Sequence, residues 1–260
     1  FYTDNGGRLL CVDLNTMKLK YVVDVTDDTD ASVVIEESYD DSTIYLYTGS
    51  EVKTANGDLG DGYGYSYQRK INGLTGEVIW EQKWICSTGD DTTSGGILAT
   101  PHVGKYQISD LVIFSFSFAA QSDGTVSADT EDAAADTEDT ESTSVSGPVA
   151  DADGNYSVGG RIVALDKSTG SVVWSVEQEN DYWSSPVVVY DENGKGYLIQ
   201  CDRGGYATLY DASTGTELNS IDLGSRIDST PAVFNNMLVV GTRGKGGSGD
   251  SPKIICVKIS

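Results

Sequence analysis

Three observations predict an all-β protein, a β-propeller built from four-stranded antiparallel blades: a repeated phrase, a second marker in the same phase, and short apolar runs without helical period. The phrase Arg161-Ile-Val-Ala-Leu-Asp166-Lys-Ser-Thr-Gly170-Ser-Val-Val-Trp174 returns as Tyr206-Ala-Thr-Leu-Tyr-Asp211-Ala-Ser-Thr-Gly215-Thr-Glu-Leu-Asn219. A blurred copy, Gln68-Arg-Lys-Ile-Asn72-Gly-Leu-Thr-Gly76-Glu-Val-Ile-Trp80, precedes them, and a worn one runs from Arg8 to Tyr21. Gly170 and Gly215 stand 45 residues apart, as do Pro186 and Pro231 of the second marker; Ala99-Thr100-Pro101 is its third copy. A fixed period of this length is the mark of repeat architecture.

Each period splits into strands at turn residues. The clearest one predicts Ser185–Tyr190, Gly196–Cys201, Tyr206–Asp211 and Glu217–Leu223, separated by Asp191-Glu-Asn193-Gly194, Arg203-Gly204-Gly205 and Ala212-Ser-Thr-Gly215. Every break offers Gly or Asn, residues that accept the positive φ of a tight hairpin. With strands named A to D from the channel outward, the chain opens on B, C and D: Phe1–Thr3, Arg8–Asp13 and Lys18–Val25. Full blades are expected from about Ala31, Ile97 and Ser184. The chain closes on A, B and C: Thr230–Phe234, Met237–Thr242 and Lys253–Ile259. Neither incomplete blade completes the other, and an open strand edge is a liability that closure removes. The whole chain, 1–260, therefore reads as one partial propeller domain, a fragment of a larger ring.

The Asp-x-x-Thr-Gly turn has a mechanical meaning. Asp or Asn opens it by bonding backbone amides, Gly closes it, and the aromatic that follows packs at a blade joint. Trp80 and Trp174 hold that aromatic place, Tyr21 substitutes in the first copy, and Asn219 breaks the pattern.

Ala164-Leu-Asp166-x-x-Thr-Gly170-x-x-x-Trp174, with Ser-Pro on the innermost strand, resembles the PQQ-like (quinoprotein alcohol dehydrogenase-like) β-propeller repeat superfamily. The resemblance covers nearly the whole chain except Gln121–Val158 and implies a ring of seven or eight blades. It leaves function open, because that superfamily includes PQQ- and calcium-dependent dehydrogenases, outer-membrane-assembly scaffold lipoproteins and surface proteins without a cofactor. The dehydrogenases imply a carboxylate and amide set holding calcium, a catalytic Asp and often adjacent cysteines. This chain has no Cys-Cys pair and no cluster that matches those motifs, so neither PQQ nor calcium is expected.

Composition narrows the partners. Forty acidic against 17 basic residues give a net charge of −23, which argues against nucleic acid and anionic lipid. No apolar run is long enough to span a membrane. The thiols Cys11 and Cys256 share one place in strand C of two blades, Cys201 ends a strand B and Cys86 follows a strand D; buried core thiols are expected. His102 is the sole histidine, which leaves little capacity for a Ser-His or His-metal mechanism. Residues 121–153 form an acidic low-complexity loop inserted in a blade, without Lys, Arg or aromatics. Its tail, Asp151-Ala-Asp153-Gly-Asn155, resembles a calcium loop without the later bidentate Glu. Such a surface suits a secreted or cell-envelope bacterial protein.

The three long insertions, Ser50–Gly64, Ala119–Gly159 and Arg243–Ser251, are all B-to-C connections and so crowd one face. Function-bearing loops on rigid scaffolds gather in this way. The same face is expected to carry Asn180, Asp181, Tyr182 and Trp183 before one inner strand and Arg226 and Asp228 before the next. Arg203 and Arg243 hold matching B-to-C places. This set, Asp181, Tyr182, Trp183, Arg203, Arg226, Asp228 and Arg243, suits a polar protein, peptide or glycan ligand; the competing reading is salt bridging between blades. Three functions are weighed: a non-catalytic binding or scaffold module, a PQQ- and calcium-dependent quinoprotein dehydrogenase, and an extracellular sensor or adhesin domain.

Overall fold

The computed structural model describes residues 1–38, 42–89, 94–122, 148–244 and 251–259; most of the acidic segment 121–153 lies outside them. The strands follow the repeat. β1 (Tyr2–Asp4), β2 (Arg8–Asp13) and β3 (Lys18–Asp24) form the first sheet, in order and antiparallel. The second blade is β4 (Val34–Ser38), β5 (Thr43–Gly49), the two-residue β6 (Glu51–Val52), β7 (Tyr63–Asn72) and β8 (Val78–Ser87). The third holds β9 (Gly95–Gly96), β10 (His102–Val103), β11 (Leu111–Ala120), β12 (Val158–Asp166) and β13 (Val172–Gln178). A four-stranded sheet follows, with β14 (Val187–Tyr190), β15 (Gly196–Cys201), β16 (Tyr206–Asp211) and β17 (Glu217–Asp222). β18 (Ala232–Phe234), β19 (Met237–Thr242) and β20 (Lys253–Lys258) end the chain. These curled antiparallel sheets, packed in sequence, are the blades of a β-propeller.

Three features depart from the expectation. The second and third blades are not separate sheets but one ten-stranded sheet. Their long strands overrun the joint: Ala119 of β11 pairs with Cys86 of β8, and β9 bridges β6 and β11. The innermost strand of the third blade is only His102–Val103, because the chain leaves it at Gly104 for a 3-10 turn, Tyr106–Ile108. Cys256 is exposed, whereas Cys11, Cys86 and Cys201 are buried. Cys11 lies on the face of β2 that carries Leu9 against the second blade, whereas the thiol at the matching place in β20 faces solvent.

Each joint has its own apolar core. Leu9 and Val23 meet Leu46 and Ile71 at the first joint, and Tyr47, Trp80 and Trp84 meet Phe114, Phe116 and Val163 at the second. Ile113, Ile162 and Trp174 meet Val188, Leu198 and Tyr210 at the third, and Ile199 and Ala207 meet Leu238 and Val240 at the fourth. Alternation explains this: successive strand residues point to opposite faces, so one strand feeds two cores.

The repeated turn locks the joints as the aromatic positions predicted. Asp166 Oδ1 accepts from the amides of Ser168 and Thr169, and Gly170 takes φ of 76°. The Trp80 indole covers that turn, donating from Nε1 to the Lys167 carbonyl at 2.9 Å. A methyl group at Gly170 would meet the ring at 2.7 Å, so glycine serves both the dihedral and the approach. Trp174 caps the next turn in the same way, donating to the Ala212 carbonyl at 3.2 Å. Tyr21 substitutes at the first joint, its hydroxyl donating to the Gly73 carbonyl at 2.7 Å.

A second tie runs along the inner strands. The amide of Ser32 donates to Thr100 Oγ1 at 3.1 Å, that of Thr100 to Ser185 Oγ at 3.0 Å, and that of Ser185 to Thr230 Oγ1 at 3.1 Å. The residue before each marker proline is thus a hydroxyl because it links its blade to the preceding one.

Candidate functional site: the arginine and tryptophan cluster of the B-to-C face

The three long connections join β5 to β7, β11 to β12 and β19 to β20, all B-to-C, and place one face apart from the tight turns. On that face the backbone repeats a single contact. The amide of Arg203 donates to the Asp181 carbonyl at 3.1 Å, that of Arg243 to the Arg226 carbonyl at 2.8 Å, and that of Glu51 to the Asp28 carbonyl at 2.9 Å. Glu51, Arg203 and Arg243 therefore occupy one structural position in three blades.

Six of the seven sequence-derived candidates come together around Trp183. Arg203 and Arg226 lie over its ring, with guanidinium carbons 4.4 Å and 5.1 Å from the centroid. Arg203 Nη1 pairs with Asp181 Oδ2 at 2.5 Å and its Nε lies 3.6 Å from Asp228 Oδ1. Arg226 Nε reaches Asp228 Oδ1 at 2.7 Å, and Arg243 Nη1 reaches Asp228 Oδ2 at 2.9 Å. One carboxylate thus faces three guanidiniums drawn from two blades. Burial opposes its charge, yet Arg226, Arg243 and Arg203 together hold the Asp228 carboxyl below its usual range.

Asn180 and Asp202 buttress the cluster. Asp202 Oδ1 accepts from the amides of Gly205 and Tyr206, while its Oδ2 accepts from Asn180 Nδ2 at 3.2 Å. Burial pushes the Asp202 carboxyl up despite these bonds. Tyr182 departs from the set. It is 2% exposed and packs in the joint between the third and fourth blades, close against Gly160. Alternation turns it inward while its neighbours Asp181 and Trp183 stay partly accessible. The predicted salt bridging between blades is present for Arg203, which reaches Asp228 across the joint, whereas Arg243 meets Asp228 within the fifth blade.

Sequence reasoning missed a second group. Asp28, Asp30 and Glu51 bring carboxylate oxygens within 4.8 Å of one another. Asp28 Oδ2 pairs with Lys53 Nζ at 2.5 Å, and Glu51 Oε1 accepts from the Asp30 amide at 3.1 Å. Burial, with Asp30 and Asp28 beside it, pushes the Glu51 carboxyl up to about 7. The signal was in the register, since Glu51 is the counterpart of Arg203 and Arg243.

The guanidiniums are already matched by Asp181 and Asp228, and Asp28 is held by an internal ammonium group. The Asp151 carboxylate is also spent within its own turn, on the amides of Asp153 and Asn155. The arginine cluster offers charge, hydrogen bonding and the aromatic surface of Trp183, and the carboxylate cluster offers charge and hydrogen bonding.

Comparison with known proteins adds the family context. A family model described as outer membrane protein assembly factor BamB matches residues 158–251, less than half of the chain. No characterised protein matches the sequence significantly. Among solved structures, a europium-containing methanol dehydrogenase superposes with a TM-score of 0.53 at 12% identity, covering 99% of this chain. This chain spans 55% of that protein. The quinohemoprotein alcohol dehydrogenase ADHIIG from Pseudomonas putida HK5 gives a TM-score of 0.48 at 16% identity, covering 84% of this chain and 32% of that one. No helix among the described residues is long and apolar enough to cross a membrane. The repeats within residues 158–251 are similar to those of the matched family model, and the chain shares the β-propeller fold of the methanol dehydrogenase.

Proposed function

We propose that the chain is a non-catalytic binding or scaffold module of a secreted or cell-envelope bacterial protein, engaging a protein, peptide or glycan partner through its B-to-C face. One observation carries this reading: Trp183, Arg203, Arg226 and Arg243 gather on the face that also collects the three long connections. Arginine and tryptophan dominate interface hot spots because both bring large contact area and directional donors. Arg243 is the accessible member, with its side chain 60% exposed, while Arg203 and Arg226 are pre-positioned beneath it by Trp183 and Asp228. A partner meeting such a site loses little affinity to side-chain ordering. The BamB-like match over residues 158–251 supports the scaffold reading, since that stretch holds Trp183, Arg203, Arg226 and Arg243.

A photo-crosslinking amino acid placed at Lys53 or Ser251 on the B-to-C face, and at Ser168 on a tight turn as control, tests the reading in the producing cell. Defined crosslinked species are expected from the first two positions only, and Trp183→Ala should abolish them. Equal crosslinking from Ser168 would overturn the choice of face. A thermal titration of the full-length protein with PQQ, with and without calcium, tests the non-catalytic part, because a ligand specific to the native state raises Tm. No shift is expected; a saturable, calcium-dependent rise would favour the quinoprotein dehydrogenase.

A further inference from the structure

The opposite face, formed by the A-to-B connections and the tight turns, carries a cleft of 550 Å3 lined by Tyr106, Gln107, Tyr190, Asp191, Glu192, Asn193 and Gly194. We propose that this cleft binds an alkylammonium group, as carried by a lysine side chain or a quaternary ammonium compound. This inference is independent of the B-to-C site, which lies on the other face and uses other residues.

The geometry begins with two aromatic rings. Tyr106 and Tyr190 stand 5.1 Å apart between centroids at an interplanar angle of 67°, forming a corner with one ring as floor and the other as wall. Tyr106 is held out, 70% exposed, with φ of 50°. A bulky aromatic rarely adopts the left-handed region, and such a conformation persists only where surrounding contacts enforce it. Here they do. The amide of Gln107 donates to the Gly194 carbonyl at 3.2 Å, and Gln107 Oε1 accepts from the Gly196 amide at 3.1 Å. The Tyr190 hydroxyl accepts from the Lys105 amide at 2.8 Å. Gly194 completes the fit, since a methyl group there would lie 3.0 Å from Tyr106 Cβ.

Clamping the two blades accounts for Gln107, but not for the exposed phenol ring beside it. That ring shares the cleft with two carboxylates and no cationic lining residue. Asp191 uses one oxygen, Oδ1, on the amides of Asn193 and Lys195. The nearest hairpin cation, Lys195, is drawn away to Asp211 Oδ2 at 3.0 Å and lies over Tyr197. The cleft thus joins aromatic faces, which attract cations through their quadrupole, to the carboxylates of Asp191 and Glu192. The net charge of −23 raises the local concentration of cations around it. An anion meets like charge here, and a neutral sugar gains nothing from that charge.

The test is a titration of the full-length protein, followed through its tyrosine ring resonances, with tetramethylammonium, with N-acetyl-lysine methylamide and with uncharged 3,3-dimethylbutanol. Both cations are expected to move the Tyr106 and Tyr190 signals saturably, and the alcohol to leave them unmoved. Tighter binding of the lysine compound would identify a polypeptide as the source, and tighter binding of tetramethylammonium a quaternary amine. Tyr106→Ala should weaken binding about tenfold and Tyr106→Phe should preserve it, because the ring face rather than the hydroxyl holds the cation. Glu192→Gln, at an exposed hairpin tip, should weaken binding about threefold and less so at high salt. Unmoved tyrosine signals with both cations, equal binding of the alcohol, or full affinity in folded Tyr106→Ala would each overturn the proposal.

Discussion

Glu51 in the second blade and Arg203 in the fourth stand at the same place in the repeat, each amide bonded to a carbonyl of the loop before strand A. Around Glu51 the neighbouring side chains are Asp28 and Asp30, balanced by Lys53. Around Arg203 they are Asp181, Asp228 and Trp183. The backbone frame is common, and the charge placed on it has opposite sign. One mouth position accumulates like charges, which with burial push the Glu51 carboxyl up; the other interleaves cations with carboxylates, and its guanidiniums hold the Asp228 carboxyl down. The repeat therefore specifies where a functional side chain sits, and only local sequence decides what it does there.

The sharpest way to break this contrast is to remove the carboxylate on which the arginine side depends. Asp228→Asn leaves Arg203, Arg226 and Arg243 facing one another with only Asp181 as counterion. Stripping one partner from a largely buried charge network costs several kcal/mol; because the Asp228 side chain is 18% exposed, about 2–3 kcal/mol is expected. Urea unfolding should show the midpoint falling at an unchanged m-value. A loss below about 0.5 kcal/mol would mean that the guanidiniums are solvated independently and that the cluster is not a unit.

The fold was legible because the turn motif carries its own mechanics. Asp166, Gly170 and Trp80 are recognisable one by one, and a period of four strands follows from the Gly and Asn breaks around Asp191 and Gly215. The ten-stranded sheet was not legible, since the overrun of β8 and β11 depends on the Ala119 and Cys86 pairing, a contact between blades rather than a local signal. Half of the site was readable from the matching Arg203 and Arg243. Glu51 escaped because a search for like residues at like positions passes over a residue of opposite charge. Tyr182 was misplaced for a simpler reason: a loop before an inner strand alternates inward and outward, and residue type alone does not fix which comes first.

The acidic side should respond to neutralisation in the opposite sense. The folded-state pKa of Glu51, about 7, lies above the 4.5 of an unperturbed glutamate, so the folded protein holds that proton more tightly than the unfolded chain. Stability from this group is complete below pH 4.5 and is lost as the pH rises through 7. Asp28, Asp30 and Lys53 are the charged groups beside it, and the Ser94 hydroxyl also bonds it. Glu51→Gln keeps the Oε1 acceptor for the Asp30 amide and removes the charge. It should stabilise the protein by about 1 kcal/mol at pH 8 and change nothing near pH 4.5. Equal effects at both pH values would mean that Glu51 is ionised throughout.

The smallest effect separates binding from folding on the arginine side. Arg243 pairs with Asp228 at 2.9 Å, but its side chain is 60% exposed, whereas that of Arg203 is 12% exposed. An exposed pair is screened by water and salt, so Arg243→Ala should lower stability by no more than about 0.5 kcal/mol, and by less in high salt. Asp228 retains Arg226 at 2.7 Å, so no buried charge is orphaned. If the B-to-C face recruits a partner, the same substitution should cut crosslinking far more than it cuts stability, because the accessible guanidinium is the one a partner meets first. Parallel losses of stability and crosslinking would assign Arg243 to the joint between the fourth and fifth blades, leaving Trp183 and Arg226 as the surface to probe.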